Sequence, residues 1–127
     1  MKRIIYIILA SFCIMAFECH QDSCITFEKK VIDFGLLKAP WEKTAIFRFK
    51  NNSKDSTLIK SSKVGCGCTT VKYPEHYIKA GKTDSVIVKF LPQKWLNGSQ
   101  EKEVILKTTC ATDSIIILTI KAEVEIY

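Results

Sequence analysis

Ile116-Ile117-Leu118-Thr119-Ile120-Lys121-Ala122-Glu123-Val124-Glu125-Ile126 is the most regular stretch of the chain. Ile116, Leu118, Ile120, Ala122, Val124 and Ile126 fall on one parity, and Thr119, Lys121, Glu123 and Glu125 on the other. Successive side chains of an extended chain point to opposite faces, so this is a strand with one face in a core and one in water. The same alternation sets Ala45, Phe47 and Phe49 against Ile46, Arg48 and Lys50, and Val86, Val88 and Phe90 against Ser85, Ile87 and Lys89. Glu103 to Thr108 is a shorter example, and Leu58 to Val64 leads into a cysteine-bearing segment.

Turn formers separate these runs: Lys38-Ala39-Pro40, Asn51-Asn52-Ser53-Lys54-Asp55, Tyr73-Pro74-Glu75, Ala80-Gly81-Lys82, Asn97-Gly98-Ser99 and Thr112-Asp113. No window between them sustains a helical apolar stripe. About seven short strands predict an all-β chain, a single immunoglobulin-like antiparallel β-sandwich of two layers. A length of 127 residues and a hydrophobic fraction of 47% suit one domain with one core. Phe27, Phe34, Phe47, Phe49, Phe90 and Trp41 are the expected large fillers. An inter-sheet bridge of the immunoglobulin kind would join the second and sixth strands. The strand around Phe47 carries no cysteine, so the core is expected to hold by packing.

The chain opens Met1-Lys2-Arg3 and runs without a charge from Ile4 to Phe17 before Glu18. That run is shorter than the roughly 20 residues a spanning helix needs, and it reads as a secretory signal over residues 1–18. Cys19 stands where the apolar run gives way to His20-Gln21-Asp22-Ser23, the layout of a lipoprotein. A diacylglycerol on Cys19 would hold the domain at a membrane, with residues 19–24 as a short tether and 25–127 as the sandwich. Phe17 and Glu18 depart from the small residues usual before a lipidated cysteine; Cys13 is the second choice of anchor, and an unlipidated secreted or periplasmic protein cut near Ala16 is the alternative. The expected location is the cell envelope, on the outer side of the cytoplasmic membrane or at the outer membrane.

Of 19 basic and 13 acidic residues, removal of Lys2, Arg3 and Glu18 leaves an excess of about 5 positive charges. The excess is nearly all lysine, scattered from Lys29 to Lys121, with Arg48 the one remaining arginine. Nucleic-acid readers favour arginine and gather charge on one face, so no nucleic-acid partner is expected. Solvated strand faces and protected sheet edges account for the lysines.

Val64-Gly65-Cys66-Gly67-Cys68-Thr69-Thr70 holds the most unusual residues at short spacing. If the segment is extended, Val64, Cys66, Cys68 and Thr70 share a face. The Cα atoms of the two cysteines would then lie about 6.6–7 Å apart, at or beyond the reach of a disulfide, so a direct bridge needs a bend at Gly67. Such a pair could hold Cu(I) or Zn(II), with His76 and Cys110 as further ligands, or it could act in thiol redox chemistry. No second cysteine pair stands at metal-site spacing, and no helix start or histidine adjoins the pair to lower a thiol pKa. The plainer expectation is two structural cysteines, with glycines that let another strand or loop approach closely. With Cys13 removed and Cys19 lipidated, Cys24, Cys66, Cys68 and Cys110 allow three complete disulfide connectivities. No cofactor is expected.

Several segments together resemble a known family, the domain of unknown function 1573, common in secreted and lipid-anchored proteins of Bacteroidetes. The resemblance runs from Asp33-Phe34-Gly35 through Phe47-Arg48-Phe49-Lys50-Asn51 and Leu58-Ile59-Lys60 to Cys66-Gly67-Cys68-Thr69. It continues through Ile78-Lys79-Ala80-Gly81 and Val86-Ile87-Val88-Lys89-Phe90 to Leu118-Thr119-Ile120-Lys121-Ala122-Glu123-Val124. Cys-Gly-Cys-Thr is its specific part. Gly65, Ala80 and Ala122 stand where the family usually has serine or alanine, proline, and glycine. The resemblance implies an immunoglobulin-like fold, similar to modules of cilium- and centrosome-associated proteins, and an exported location.

Asp33-Phe34-Gly35 also spells a kinase metal-binding motif, but the chain lacks the other kinase elements and the length. No constellation for hydrolysis and no phosphate loop is present. Asp55-Ser56, Asp84-Ser85 and Asp113-Ser114 each enter a strand, and they resemble acceptor sites for O-glycosylation of exported Bacteroidetes proteins at Ser56, Ser85 and Ser114. Their simpler role is to satisfy backbone groups at turns. The expected function is a noncatalytic envelope module that binds a protein or a glycan, with Trp95 and Leu96 as contact candidates. Trp95 folded back over an open end of the sandwich is the alternative for that residue.

Overall fold

The computed structural model describes residues 23–126, all of whose regular elements are strands. In order they are β1 (Ile25–Phe27), β2 (Val31–Lys38), β3 (Lys43–Asn51), β4 (Ile59–Val64), β5 (Thr69–Lys72), β6 (Thr83–Phe90), β7 (Gly98–Thr108) and β8 (Ile115–Glu125). They form two four-stranded sheets, β1-β3-β6-β5 and β2-β8-β7-β4. The immunoglobulin-like sandwich expected from alternation is thus the architecture found. Its inward parity is the predicted one: Phe47, Val86, Val88, Phe90, Leu118, Ile120 and Val124 are fully buried between the sheets. Each such side chain contributes roughly 1.5–3 kcal/mol on burial, which makes this interface the main source of stability.

Two features depart from the sequence expectation. The described residues form eight strands, and the chain through Leu58 to Thr70 does not stay in one sheet. It leaves the second sheet at Val64, turns over Gly65–Cys68 and enters the first sheet at Thr69 as β5. One pairing, β2 with β8, is parallel. The chain crosses from β1 to β2 through residues 28–30 while running on in the same direction, so the strand that leaves the edge of one sheet joins the edge of the other. Asp33-Phe34-Gly35, the coincidental kinase triplet, marks a bulge in β2. The register shifts between Asp33 and Leu36, Gly35 takes a left-handed φ of 67°, and its N–H donates to Asp33 Oδ1 at 2.8 Å. A side chain is strained in that conformation, which is the reason for glycine.

The predicted fillers Phe27, Phe47, Phe49 and Phe90 are buried, with the Phe27 and Phe49 ring centroids 5.2 Å apart. Phe34 is only half-buried at the rim of the core. Trp41 does not fill the core at all: it is 71% exposed, in a turn closed by its N–H to Lys38 O at 3.0 Å. The sheets are also covalently linked. Cys24, ahead of β1 in the first sheet, is bridged to Cys110, which follows β7 in the second, with Cα atoms 6.3 Å apart. The link clasps one end of the sandwich rather than crossing its middle, so packing is not the sole tie.

Candidate functional site

Strand directions sort the connections onto two ends. The N-terminal end carries residues 23–24, the β3–β4 connection, the β5–β6 loop and the β7–β8 turn. Here Asn51, wholly buried, knots three segments together. Its Nδ2 donates to Asp55 O at 2.8 Å and Ile78 O at 2.9 Å, and its Oδ1 accepts from Ser53 N–H at 3.0 Å and Ser53 Oγ at 2.6 Å. Asp113 pins the entering chain, its Oδ2 accepting from Ser23 Oγ and from Ile25 N–H.

The far end carries the β2–β3 loop, the Gly65–Cys68 turn, the β6–β7 loop and Ile126. Cys66 and Cys68 form a disulfide there, with Cα atoms 5.2 Å apart, inside the range that an extended chain would exceed. The bend required at Gly67 is present as a turn, with Thr69 N–H donating to Cys66 O at 3.2 Å. Cys68 N–H donates to Cys66 Sγ at 3.1 Å, and Cys68 Sγ lies 3.7 Å from Thr69 Oγ1. Cys68 is buried and Cys66 half-buried. No strand or loop presses on the flanking glycines: a Cβ at Gly65 or Gly67 would meet nothing within 4 Å, and neither has a left-handed φ. The expectation of a close approach there is corrected.

The metal ligands considered from sequence are not brought together. Cys66 and Cys68 bind one another at the far end, while Cys110 is bridged to Cys24 at the N-terminal end. His76 lies in the β5–β6 loop, also at the N-terminal end, exposed, with Nε2 3.3 Å from Asp84 Oδ2. Among the described residues no group of three His, Cys, Asp or Glu side chains could hold a metal ion. Sulfur held in a disulfide offers no thiolate, and soft-metal binding needs one.

Trp95 and Leu96 part company. Leu96, whose N–H donates to Gln93 O at 2.9 Å, packs half-buried against the core, while Trp95 is 76% exposed and does not fold back over the end. Trp41 joins it on the same end. A shallow cleft of about 510 Å³ is lined by Ala39, Pro40, Trp41, Lys94 and Ile126, so the two loops that bear the tryptophans border one depression. Leu91, exposed on the same end, ties the β6–β7 loop to the cysteine turn through its N–H to Cys68 O at 2.8 Å. Sequence reasoning placed Trp41 in the core. Its setting after Pro40 and before Glu42, off every alternating run, was the signal for a loop.

Of the Asp-Ser pairs, Ser56 and Ser114 are exposed at the N-terminal end, whereas Ser85 is half-buried within β6. Its N–H donates to Asp84 Oδ1 at 2.7 Å inside the strand, and Asp113 holds the N-terminal segment as described; only Asp113 satisfies a backbone group at a turn, and it does so across the fold. Cys19, Cys13 and the proposed signal lie outside the described residues.

Among solved structures the fold is similar to a protein of unknown function from Porphyromonas gingivalis W83, at 16% identity and a TM-score of 0.70 over 78% of this chain and 46% of that one. It is similar also to the secreted serine protease VesC from Vibrio cholerae, at 11% identity and 0.63, over 82% of this chain and 24% of that one. The ASH / PapD-like domain of human CEP192 matches at 9% identity and 0.62, over 82% and 87%. This chain thus spans about half of the Porphyromonas protein and a quarter of the Vibrio one; identities this low speak for the fold alone. A comparison with curated proteins finds no match. The model of the DUF1573 family, proteins of unknown function, matches residues 25–124 with the Cys-Gly-Cys turn inside that span, and the chain belongs to this family.

Proposed function

We propose that this chain is a noncatalytic module of the cell envelope, held at a membrane through a lipid on Cys19, which grips a partner protein with its far end. The observation that carries the reading is the pair of tryptophans, Trp41 and Trp95, at 71% and 76% exposure on the end opposite the N terminus. A tryptophan buries 150–250 Å² when covered, and aromatic residues dominate the energetic centres of protein interfaces. Two of them, on one end with Leu91, Pro40 and Ile126, offer large apolar contacts to a partner. The geometry of attachment agrees. The five residue steps from Cys19 to Cys24 reach at most about 18 Å, which would keep the N-terminal end close to the bilayer and present the far end outward.

The test uses the full chain in native membranes, with crosslinking and affinity capture of wild type beside a Trp41→Ala/Trp95→Ala variant, and mass analysis of the mature N terminus. A diacylated Cys19, and a protein captured by wild type and lost at least about tenfold in the variant with the fold intact, is the expected result. Capture undiminished in the variant would move the contact elsewhere; glycan bound in place of protein, or an unmodified Cys19, would overturn the corresponding half of the proposal.

A further inference from the structure

The Cys66–Cys68 bridge is placed where the fold depends on it least. It joins cysteines two residues apart, whereas Cys24–Cys110 joins cysteines 86 apart, so opening it frees almost no chain. The strands on either side have their own ladders, with Val64 opposite Val104 in one sheet and Thr69 opposite Phe90 in the other. The hydrogen bonds from Thr69 N–H to Cys66 O and from Leu91 N–H to Cys68 O do not involve sulfur. The turn can therefore persist after the sulfurs part.

Access is the second observation. Cys66 is half-buried, and the positions that side chains would occupy at Gly65 and Gly67 are open space. Neither backbone conformation nor packing calls for glycine at these two sites. Glycine at both leaves the turn around Cys66 without flanking side chains. Each sulfur also has a hydrogen-bond partner suited to negative charge: Cys68 N–H for Cys66 Sγ, and the Thr69 hydroxyl for Cys68 Sγ.

We propose that Cys66–Cys68 is an exchangeable disulfide that accepts two electrons from a dithiol on the protein docked at the far end. A partner thiolate attacks Sγ of Cys66, the more exposed cysteine of the pair. The Cys66–Cys68 bond breaks as the new bond forms, and its electron pair leaves on Cys68 Sγ, where the Thr69 hydroxyl donates to it until it takes a proton from water. The partner's second thiolate then attacks its own sulfur in the mixed disulfide and expels Cys66 as thiolate, which Cys68 N–H receives. The partner dithiol has become a disulfide, and Cys66, once it too takes a proton from water, is a thiol like Cys68. The exchange stands apart from docking; only the source of the dithiol rests on the proposed function.

A small thiol tests the chemistry without docking. Folded, oxidised protein is titrated with dithiothreitol, quenched by alkylation and mapped by mass spectrometry, with circular dichroism followed in parallel. The expected result is loss of the Cys66–Cys68 bridge while Cys24–Cys110 stays closed and the spectrum is unchanged. Oxidised glutathione is then offered to the Cys68→Ala and Cys66→Ala variants after reduction of the turn. Cys66 should be glutathionylated at least about tenfold faster than Cys68. Simultaneous opening of both bridges, opening of Cys66–Cys68 only as the fold is lost, or equal reactivity of the two sulfurs would overturn the proposal. A failure here together with tryptophan-dependent capture would leave the binding module standing without its redox chemistry.

Discussion

Replacing Cys24 and Cys110 together by alanine is expected to destabilise the domain far more than replacing Cys66 and Cys68 together. The bridged cysteines are 86 residues apart in one case and two apart in the other. In the chain-entropy account, a cross-link stabilises by restricting the unfolded chain, by an amount that rises with the logarithm of loop length. This gives about 4.6 kcal/mol for the long loop and about 1.5 kcal/mol for the short one. At 4–8 °C per kcal/mol for a domain of this size, the first double variant should lose about 20 °C or more in Tm, and the second about 6–12 °C. Urea and thermal unfolding of the oxidised domain, followed by circular dichroism, measure both. Equal losses, or a loss below about 1 kcal/mol in the Cys24/Cys110 variant, would refute the argument that the clasp acts through the unfolded chain.

Two further outcomes follow from burial and hydrogen bonding. Asn51→Leu removes donors and acceptors that join the β3–β4 connection to the β5–β6 loop, and is expected to cost about 2–4 kcal/mol in urea unfolding; a loss under about 0.5 kcal/mol would mean that the knot is not structural. Trp95→Ala should leave stability within about 0.5 kcal/mol while Leu96→Ala loses about 1–2 kcal/mol, and the reverse order would mean that Trp95 covers the end of the sandwich in solution.

The strands were legible where one face is core and the other water. In β8 the even-numbered positions from Ile116 to Val124 are buried as their spacing requires, and only Ile126, past the last pairing, is exposed. The same rule misleads at Val64–Thr70. Alternation continues across the cysteines, yet the strand ends at Val64 and the chain turns into the other sheet at Thr69. Parity carries no information about such a corner. The pairing of Cys24 with Cys110 was one of three connectivities that spacing could not rank, since it depends on which strand ends the topology brings together. Trp41 was misread because size alone suggested burial, while its isolation from any alternating run pointed outward. The cysteine turn was visible as chemistry; that it shares one end of the sandwich with Trp41 and Trp95 emerges only from the strand directions.

The clasp between Cys24 and Cys110 also sets how the domain meets mechanical load. With the chain held at Cys19 as proposed, a pull toward the membrane arrives at residue 24 before it reaches any hydrogen bond of β1. Without the bridge, the three-residue ladder of β1 on β3 would be the first to take that tension and could unzip from its end. With it, tension passes through sulfur into the end of β7, whose pairing with β8 runs from Gly98–Val124 to Lys107–Ile115 and is the longest among the described residues. Both sheets then resist together, and the tether can tug on the domain without peeling away its first strand.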